Sequence, residues 1–333
     1  MTDIRAAARA RLDALAKPPG SLGRLEALAI RLAMTQGSLA PATRPRRLLV
    51  FAGDHGVVAA GVGLWPDAVT TAMMQVMLAG RASCTALARS AGAEMVLVDA
   101  GSKAPSFAAP GYRDWRVARG TANLADGPAM DLAGFEAALA VGARAAAEAA
   151  ADGIRVLALG EMGIGNTTTA ACLTALLAEA STASVVGPGA GATPETHARK
   201  LAIVEAAVSR ARVMPDRRAA IAAVAGYELV AMAGCLMEAR HRGLTVVLDG
   251  FLAGAGALVA QALAPDSLGA AIAAHRGAEP GHAIALAKLG LEHFLDWNLR
   301  LGEGSGALLL LPLLDAAAAL LTEVATLAEV MGE

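Results

Sequence analysis

Residues 160–169 read GEMGIGNTTT, between the short apolar run RVLALG (155–160) and the helix-forming stretch AACLTALLA (170–178). A strand, a glycine loop and a helix start in that order form a phosphate cradle. Glycines such as Gly163 and Gly165 let backbone N–H groups approach an anion, and the helix N-terminus at Asn166 and Thr167 adds partial positive charge. The spacing from Gly160 to Gly165-Asn166-Thr167 approaches a P-loop, but Asn166 stands where the triphosphate-gripping lysine belongs. The loop therefore suits a single phosphate. Glu161, a carboxylate inside an anion site, would serve something beside the phosphate, such as ribose hydroxyls. The same residues also fit a plain tight turn with a capped helix.

A second candidate is Glu303, bracketed by Gly302 and Gly304 between two apolar helical stretches. The glycines clear space for a ligand, and semi-buried surroundings raise a carboxylate's pKa and make it a better base near neutral pH. An exposed Glu in a helix-ending turn fits the spacing equally well. A phosphorylated sugar held by loops, with a carboxylate arriving from elsewhere in the chain, suggests chemistry at an anomeric carbon.

The elements that must position these groups read as α/β: a Rossmann-like parallel sheet wrapped by helices. Five β-type runs stand out, at 48–52, 95–98, 156–159, 184–186 and 245–248, with helical periodicity between them over 133–151 and 199–212. Each run hands over to glycine and polar residues: Gly53-Asp54, Asp99 to Gly101, the GEMGIGNTTT loop, the segment GPGAG around Gly189, and Asp249-Gly250. Open α/β sheets bind ligands at such strand ends. Asp54 and Asp249 are natural acceptors for ribose hydroxyls, although each could equally cap a helix. Beyond residue 270 strand character fades. A long apolar helix is expected over 307–331, and helices of the two chain ends should pack as a small lobe.

The chain has 333 residues, 56% of them hydrophobic but many of these alanine, with 3% aromatic and a formal net charge of −2. The longest apolar stretch, 307–314, is interrupted by Pro312 and is too short to span a bilayer. The N-terminus lacks the apolar core of a secretory signal. Three widely spaced cysteines read as buried thiols in a reducing cytoplasm, and six scattered histidines offer no metal-ligand spacing. The charge balance, without a basic run, argues against nucleic acid.

Six segments, in order, carry a resemblance: KPPGSLGRLE from Lys17, AGDHGV from Ala52, VARGTANLADGPAM from Val117, GEMGIGNTTTAA from Gly160, VVLDGFL from Val246 and LRLGEGSGA from Leu299. Over nearly its whole length the chain resembles the nicotinate-nucleotide–dimethylbenzimidazole phosphoribosyltransferase family, whose members make the lower-ligand nucleotide of cobalamin. The resemblance implies a six-stranded Rossmann-like domain over 30–270. It also implies a small helical domain from 1–29 and 271–333, and a homodimer in which the neighbour's small domain helps close each site. Glu303 matches the catalytic base in GEGSG. Glu161 and the loop through Gly163, Gly165, Asn166 and Thr167 match the ribose and phosphate motif, Lys200 a phosphate-binding lysine, and Asp249-Gly250 the DGF motif.

The implied reaction is attack by a ring nitrogen of 5,6-dimethylbenzimidazole on the ribose of nicotinate mononucleotide. Glu303 takes a proton and the anomeric carbon inverts. Because the pyridinium is already activated, no cofactor, ATP or metal is required. The chain departs from the family where Met73 and Met74 precede the first glutamine, Gln75. It departs again where His-x-Ser-Ala-Glu reads His275-Arg-Gly277-Ala-Glu279. Met73 would then line a slot that accepts several flat bases, or belong to a helix core. A small-molecule kinase would use the same strand, loop and helix but lacks the lysine at 166. A nucleotide-sensing module would leave Glu303 unexplained.

Overall fold

Strands of a parallel sheet are buried on both faces, so they must be apolar throughout rather than alternating. All eight residues of β1 (Arg46–Gly53) meet the burial condition, the two arginines through ion pairs at the strand's start: Arg46 with Asp315, Arg47 with Glu94 and Asp152. The other strands are β2 (Glu94–Gly101), β3 (Tyr112–Asp114), β4 (Val156–Met162), β5 (Thr245–Leu248), β6 (Ala271–His275) and β7 (His293–Leu295). In this computed structural model, which describes residues 3–187 and 193–332, they form one sheet in the order β3-β2-β1-β4-β5-β6-β7. Every pairing is parallel.

Helices α1 (Ile4–Asp13) and α2 (Arg24–Gln36) precede β1, and α3 (Ala68–Leu78) and α4 (Ser83–Ala91) link it to β2. Helix α5 (Leu132–Ala151) follows β3. Between β4 and β5 run α6 (Asn166–Leu177), α7 (Thr182–Val185), α8 (Pro194–Arg212), α9 (Arg217–Ala222) and α10 (Tyr227–His241). Helix α11 (Phe251–Leu263) leads to β6 and α12 (Pro280–Leu289) to β7, followed by α13 (Ser305–Thr322) and α14 (Leu327–Met331). The period of two along β1 divides the cores. Leu49 and Phe51 join the cluster under α5, α6, α8, α10 and α11, while Leu48, Val50 and Ala52 join the one under α1 to α4 and α13.

Three expectations are corrected. The run 184–186 is not a strand: Thr182–Val185 is a single helical turn. Strand β5 pairs directly with β4, Leu159 opposite Leu248, so no slot remains for a strand there and Val185 is buried beneath helices instead. Strand character does not fade at 270, because β6 and β7 complete the sheet. Strand β6 reads AIAAH, with one β-branched residue, and its burial rather than its propensity makes it a strand. The sheet thus has seven strands, not six, with the three-residue β3 and β7 at its edges.

The chain ends do meet. Helix α13 packs on α2, and Leu15 and Thr326 form an antiparallel bridge. That bridge breaks the helix expected over 307–331 into α13 and α14, the latter starting from a capping box at Thr326 and Glu329. Among the described residues α13 alone is long and apolar enough to cross a bilayer, but half of it is buried, against the sheet, α2 and α4.

Helices α5 and α10 touch backbone to backbone. A Cβ on Gly142 would lie 1.7 Å from the Ala231 carbonyl oxygen, and one on Gly234 2.1 Å from that of Leu139. Gly142→Ala should therefore destabilise the protein by about 1–3 kcal/mol in urea unfolding. Gly63→Ala, with no atom within 4 Å of the added carbon, should stay within about 0.5 kcal/mol. Equal midpoints for the two would show that the helices have room to separate.

Candidate active site

Where strand order reverses, between β1 and β4, an open α/β sheet offers a crevice. Here the β1 side of that crevice is filled. Gly163 sits so close to β1 that a Cβ would lie 2.2 Å from the Gly53 carbonyl oxygen. His55 packs beneath it, Nδ1 3.1 Å from Thr169 Oγ1 and Nε2 2.9 Å from a carboxylate oxygen of the fully buried Glu228. The cavity, about 520 Å³, therefore lies over the C-terminal ends of β4, β5 and β6, with the segment 299–303 on its wall.

Strand β4 runs through Gly160 and Glu161 to Met162, opposite Val50, Phe51 and Ala52 of β1. The loop is consequently only Gly163-Ile164-Gly165, with Gly165 in the left-handed conformation (φ 92°) as the N-cap of α6. It is shorter than a P-loop. The Ile164 amide donates to Thr70 Oγ1 at 3.1 Å, which pins this turn to α3.

Glu161 is buried, with Asn166 Nδ2 donating to its Oε2. The Glu303 amide points at its Oε1 from 3.5 Å. Burial, and then the charges of Asp249 and Glu228, push its pKa up from 4.5 to about 8. Glu303 itself is 5% exposed and its Oε2 has no hydrogen-bond partner. Burial raises its pKa. The Cys84 thiol and amide at the start of α4 oppose that rise, and Asp249 adds to it. An under-solvated carboxylate with an unused lone pair on a cavity wall is equipped to take a proton.

Of the expected site residues, Glu161, Gly163, Asn166, Thr167, Asp249, Gly250, Met73 and Glu303 line the cavity, whereas Gly165 does not and faces Val58 and His55 instead. Met73 does so from α3, while Met74 and Met77 of the same helix are core. Lys200 is buried one layer below, its Nζ 3.0 Å from Thr167 Oγ1 and 3.3 Å from the Gly187 carbonyl oxygen. Its pKa is lowered by burial, against the pull of Glu279. Gly189 lies outside the described residues. Asp54 is not brought to the cavity: Oδ2 accepts from the Lys103 amide at 2.7 Å, tying the β1 end to the segment after β2. Asp249 reaches the cavity edge, but its oxygens accept from backbone amides at the start of α13. Gly277 also lines the cavity, its amide donating to Nδ1 of buried His282, which desolvation holds neutral with a pKa of about 3.

Sequence reasoning missed Cys84, whose proximity to Glu303 is purely tertiary. It also missed Arg300, three residues before Glu303 and the only Lys or Arg among the described residues lining the cavity. The four lining carboxylates are Glu161, Asp249, Glu279 and Glu303. The cavity thus carries acidic walls beside a helix N-terminus.

Residues 1–331 match the family described as phosphoribosyltransferase. The chain belongs to that family. Among curated relatives, the nicotinate-nucleotide–dimethylbenzimidazole phosphoribosyltransferase of Ralstonia nicotianae is 44% identical over 330 residues, covering 98% of this chain and 92% of that protein. The enzyme of the same name from Salinispora tropica is 44% identical over 328 residues, covering 94% and 90%. The crystal structure of CobT from Thermus thermophilus aligns with a TM-score of 0.95 at 44% identity, over 99% of this chain and 98% of that one. This phosphoribosyltransferase therefore shares both sequence and architecture with its relatives along nearly its whole length.

The raised Glu161 pKa has a consequence for stability. A carboxyl group that ionises less readily when folded makes the unfolded state the weaker proton binder, so stability falls as pH rises from about 4.5 through about 8. Chemical unfolding of the unliganded enzyme should show this decline, and Glu161→Gln should flatten it. An unaltered pH slope in the variant would assign the decline to another group.

Proposed function

We propose that this phosphoribosyltransferase moves the 5-phosphoribosyl group of nicotinate mononucleotide to 5,6-dimethylbenzimidazole or a related flat base. The products are α-ribazole 5′-phosphate and nicotinate, as in assembly of the cobalamin nucleotide loop. The observation that carries this reading is the uneven charge of the cavity. One part abuts the α6 N-terminus with Lys200 beneath Thr167, which suits a phosphate. The same cavity is lined by four carboxylates against one arginine, and a cation among them would offset the burial and mutual repulsion that raise the Glu161 and Glu303 pKa values. A pyridinium mononucleotide has both charges in one molecule, and its cationic character passes to the ribosyl carbon as the C–N bond breaks.

In this mechanism Glu161, steered by Asn166, faces the ribose hydroxyls, and the loop through Gly163 and Gly165 with Thr167 and Lys200 holds the phosphate. The acceptor base lies against Met73 and Val69 of α3, beside Trp65. Its ring nitrogen attacks the anomeric carbon from the face opposite nicotinate, so the configuration inverts. Nicotinate leaves as a neutral ring nitrogen and needs no proton. Glu303 takes the proton from the acceptor's other nitrogen, a step favoured by its unpaired Oε2 and raised pKa.

The enzyme acts as a cytoplasmic homodimer in this reading, with the helices of both chain ends forming a lobe that covers the neighbour's cavity. Leu301 and Trp65, apolar and more than half exposed at the rim, support such a cover. So do Leu327, Val330 and Met331 exposed on α14.

The test is incubation with nicotinate mononucleotide and a panel of bases, with products read by mass spectrometry. A ribazole phosphate must appear, and no turnover with any base would refute the reading. In the same assay Lys200→Ala removes a charge-assisted contact of about 1.5–3 kcal/mol. The KM for the mononucleotide should rise roughly tenfold or more while the KM for the base stays put. An unchanged mononucleotide KM would remove Lys200 from the phosphate site.

A further inference from the structure

Helix α13 begins without a capping side chain of its own, because its N-cap is Gly304. The cap comes instead from the far end of β5. Asp249 Oδ2 accepts from the Gly304 amide at 3.1 Å, and Oδ1 from the amides of Gly306 at 2.7 Å and Ala307 at 3.2 Å. His275 Nε2 lies 3.3 Å from Oδ1. With three amides on its two oxygens, this carboxylate is committed to the protein backbone and has little left for a sugar hydroxyl.

The residue just before that cap is Glu303. Its backbone is left-handed at φ 59°, between Gly302 at 86° and Gly304 at 81°. A residue with a Cβ resists that conformation, and it persists only where surroundings over-determine it. One constraint is Gly160, where a Cβ would lie 2.6 Å from the Glu303 carbonyl carbon, so the turn lies flat on β4. The other is the Asp249 cap. We infer that Asp249 is a positioning residue for the phosphoribosyl transfer, holding the start of α13 so that the left-handed Glu303 directs its carboxylate into the cavity. This rests on the reading of Glu303 as the base, and it replaces the sugar-binding role that the position of Asp249 after a strand suggests.

Asp249→Asn tests it. Asparagine keeps one accepting oxygen, but its NH2 cannot accept, so either the Gly304 amide or the Gly306 and Ala307 amides meet donor against donor. A base displaced by about 1 Å loses on the order of 10²-fold in rate. The expected result is a kcat lower by about 10- to 100-fold with the mononucleotide KM within about threefold. The acidic limb of the kcat profile should also move to lower pH. The titratable groups set against this turn are Glu161 on β4, Asp249 after β5 with His275 of β6 beside it, and Cys84 on α4, and the variant removes only the Asp249 charge, which adds to the rise in the Glu303 pKa that burial causes. A raised mononucleotide KM with kcat preserved would make Asp249 a substrate ligand and overturn the inference, as would an unchanged kcat.

If Asp249→Asn does not fold, Gly304→Ala strains the same turn, its Cβ 2.5 Å from Leu48 Cδ1. That variant must lose kcat and keep the mononucleotide KM, with the acidic limb unmoved, and an undiminished kcat overturns the inference. Wild-type enzyme run alongside separates the two levels. No turnover there rejects the phosphoribosyl reading itself, whereas an active wild type with an equally active variant rejects only the role of Asp249.

Discussion

Gly160 has no side chain, and the turn formed by Gly302, Glu303 and Gly304 lies where one would be. This close approach joins the end of β4 to the first turn of α13, two segments far apart in sequence, and both candidate carboxylates flank it. Glu161 follows Gly160 on the strand and Glu303 is the centre of the turn. A methyl group at 160 would push the turn off the strand. It would also separate Glu161 from the Glu303 amide and open both carboxylates to water.

The burial created by that contact sets the electrostatics. Carboxylates brought together out of water resist ionisation, because each lacks solvation and each opposes its neighbour's charge. The result is a raised pKa at Glu161 and at Glu303. A cationic substrate would reverse the balance by supplying the charge that the acidic walls lack, and its phosphate would meet the α6 N-terminus. The same arrangement that weakens the unliganded fold as pH rises thus favours the charge developing at a ribosyl carbon. That is preorganisation of fixed groups toward a transition state rather than toward a neutral ligand.

Much of this was legible in the sequence where local chemistry decides structure. Runs rich in Val and Leu marked β1, β2, β4 and β5, and the glycines around Glu303 marked a turn with space beside it. Where tertiary context decides, the local pattern misleads. Ala-rich β6 looks helical until it is placed between β5 and β7, and Val185 and Val186 look like a strand although the sheet has no place for one. From the sequence Glu161 looks like a loop residue, because Gly160 resembles a strand end. In the fold Gly160 is the strand residue that admits the turn before α13. The capping of α13 by Asp249 and the contact of Cys84 with Glu303 join distant segments and left no periodic or compositional trace. Asp54 and Asp249 shared one sequence context, a polar residue after a strand, yet each is engaged by different backbone amides.

The central claim is that Glu303 accepts a proton during ribosyl transfer, and the most direct measurement is the pH dependence of kcat for Glu303→Gln beside the wild type. Glutamine preserves the shape of the side chain and cannot act as a base. The account predicts a kcat lower by roughly 10²–10⁴-fold and loss of the acidic limb that the wild type shows, with binding of nicotinate mononucleotide retained. A variant with near-native kcat and an unchanged acidic limb would contradict it.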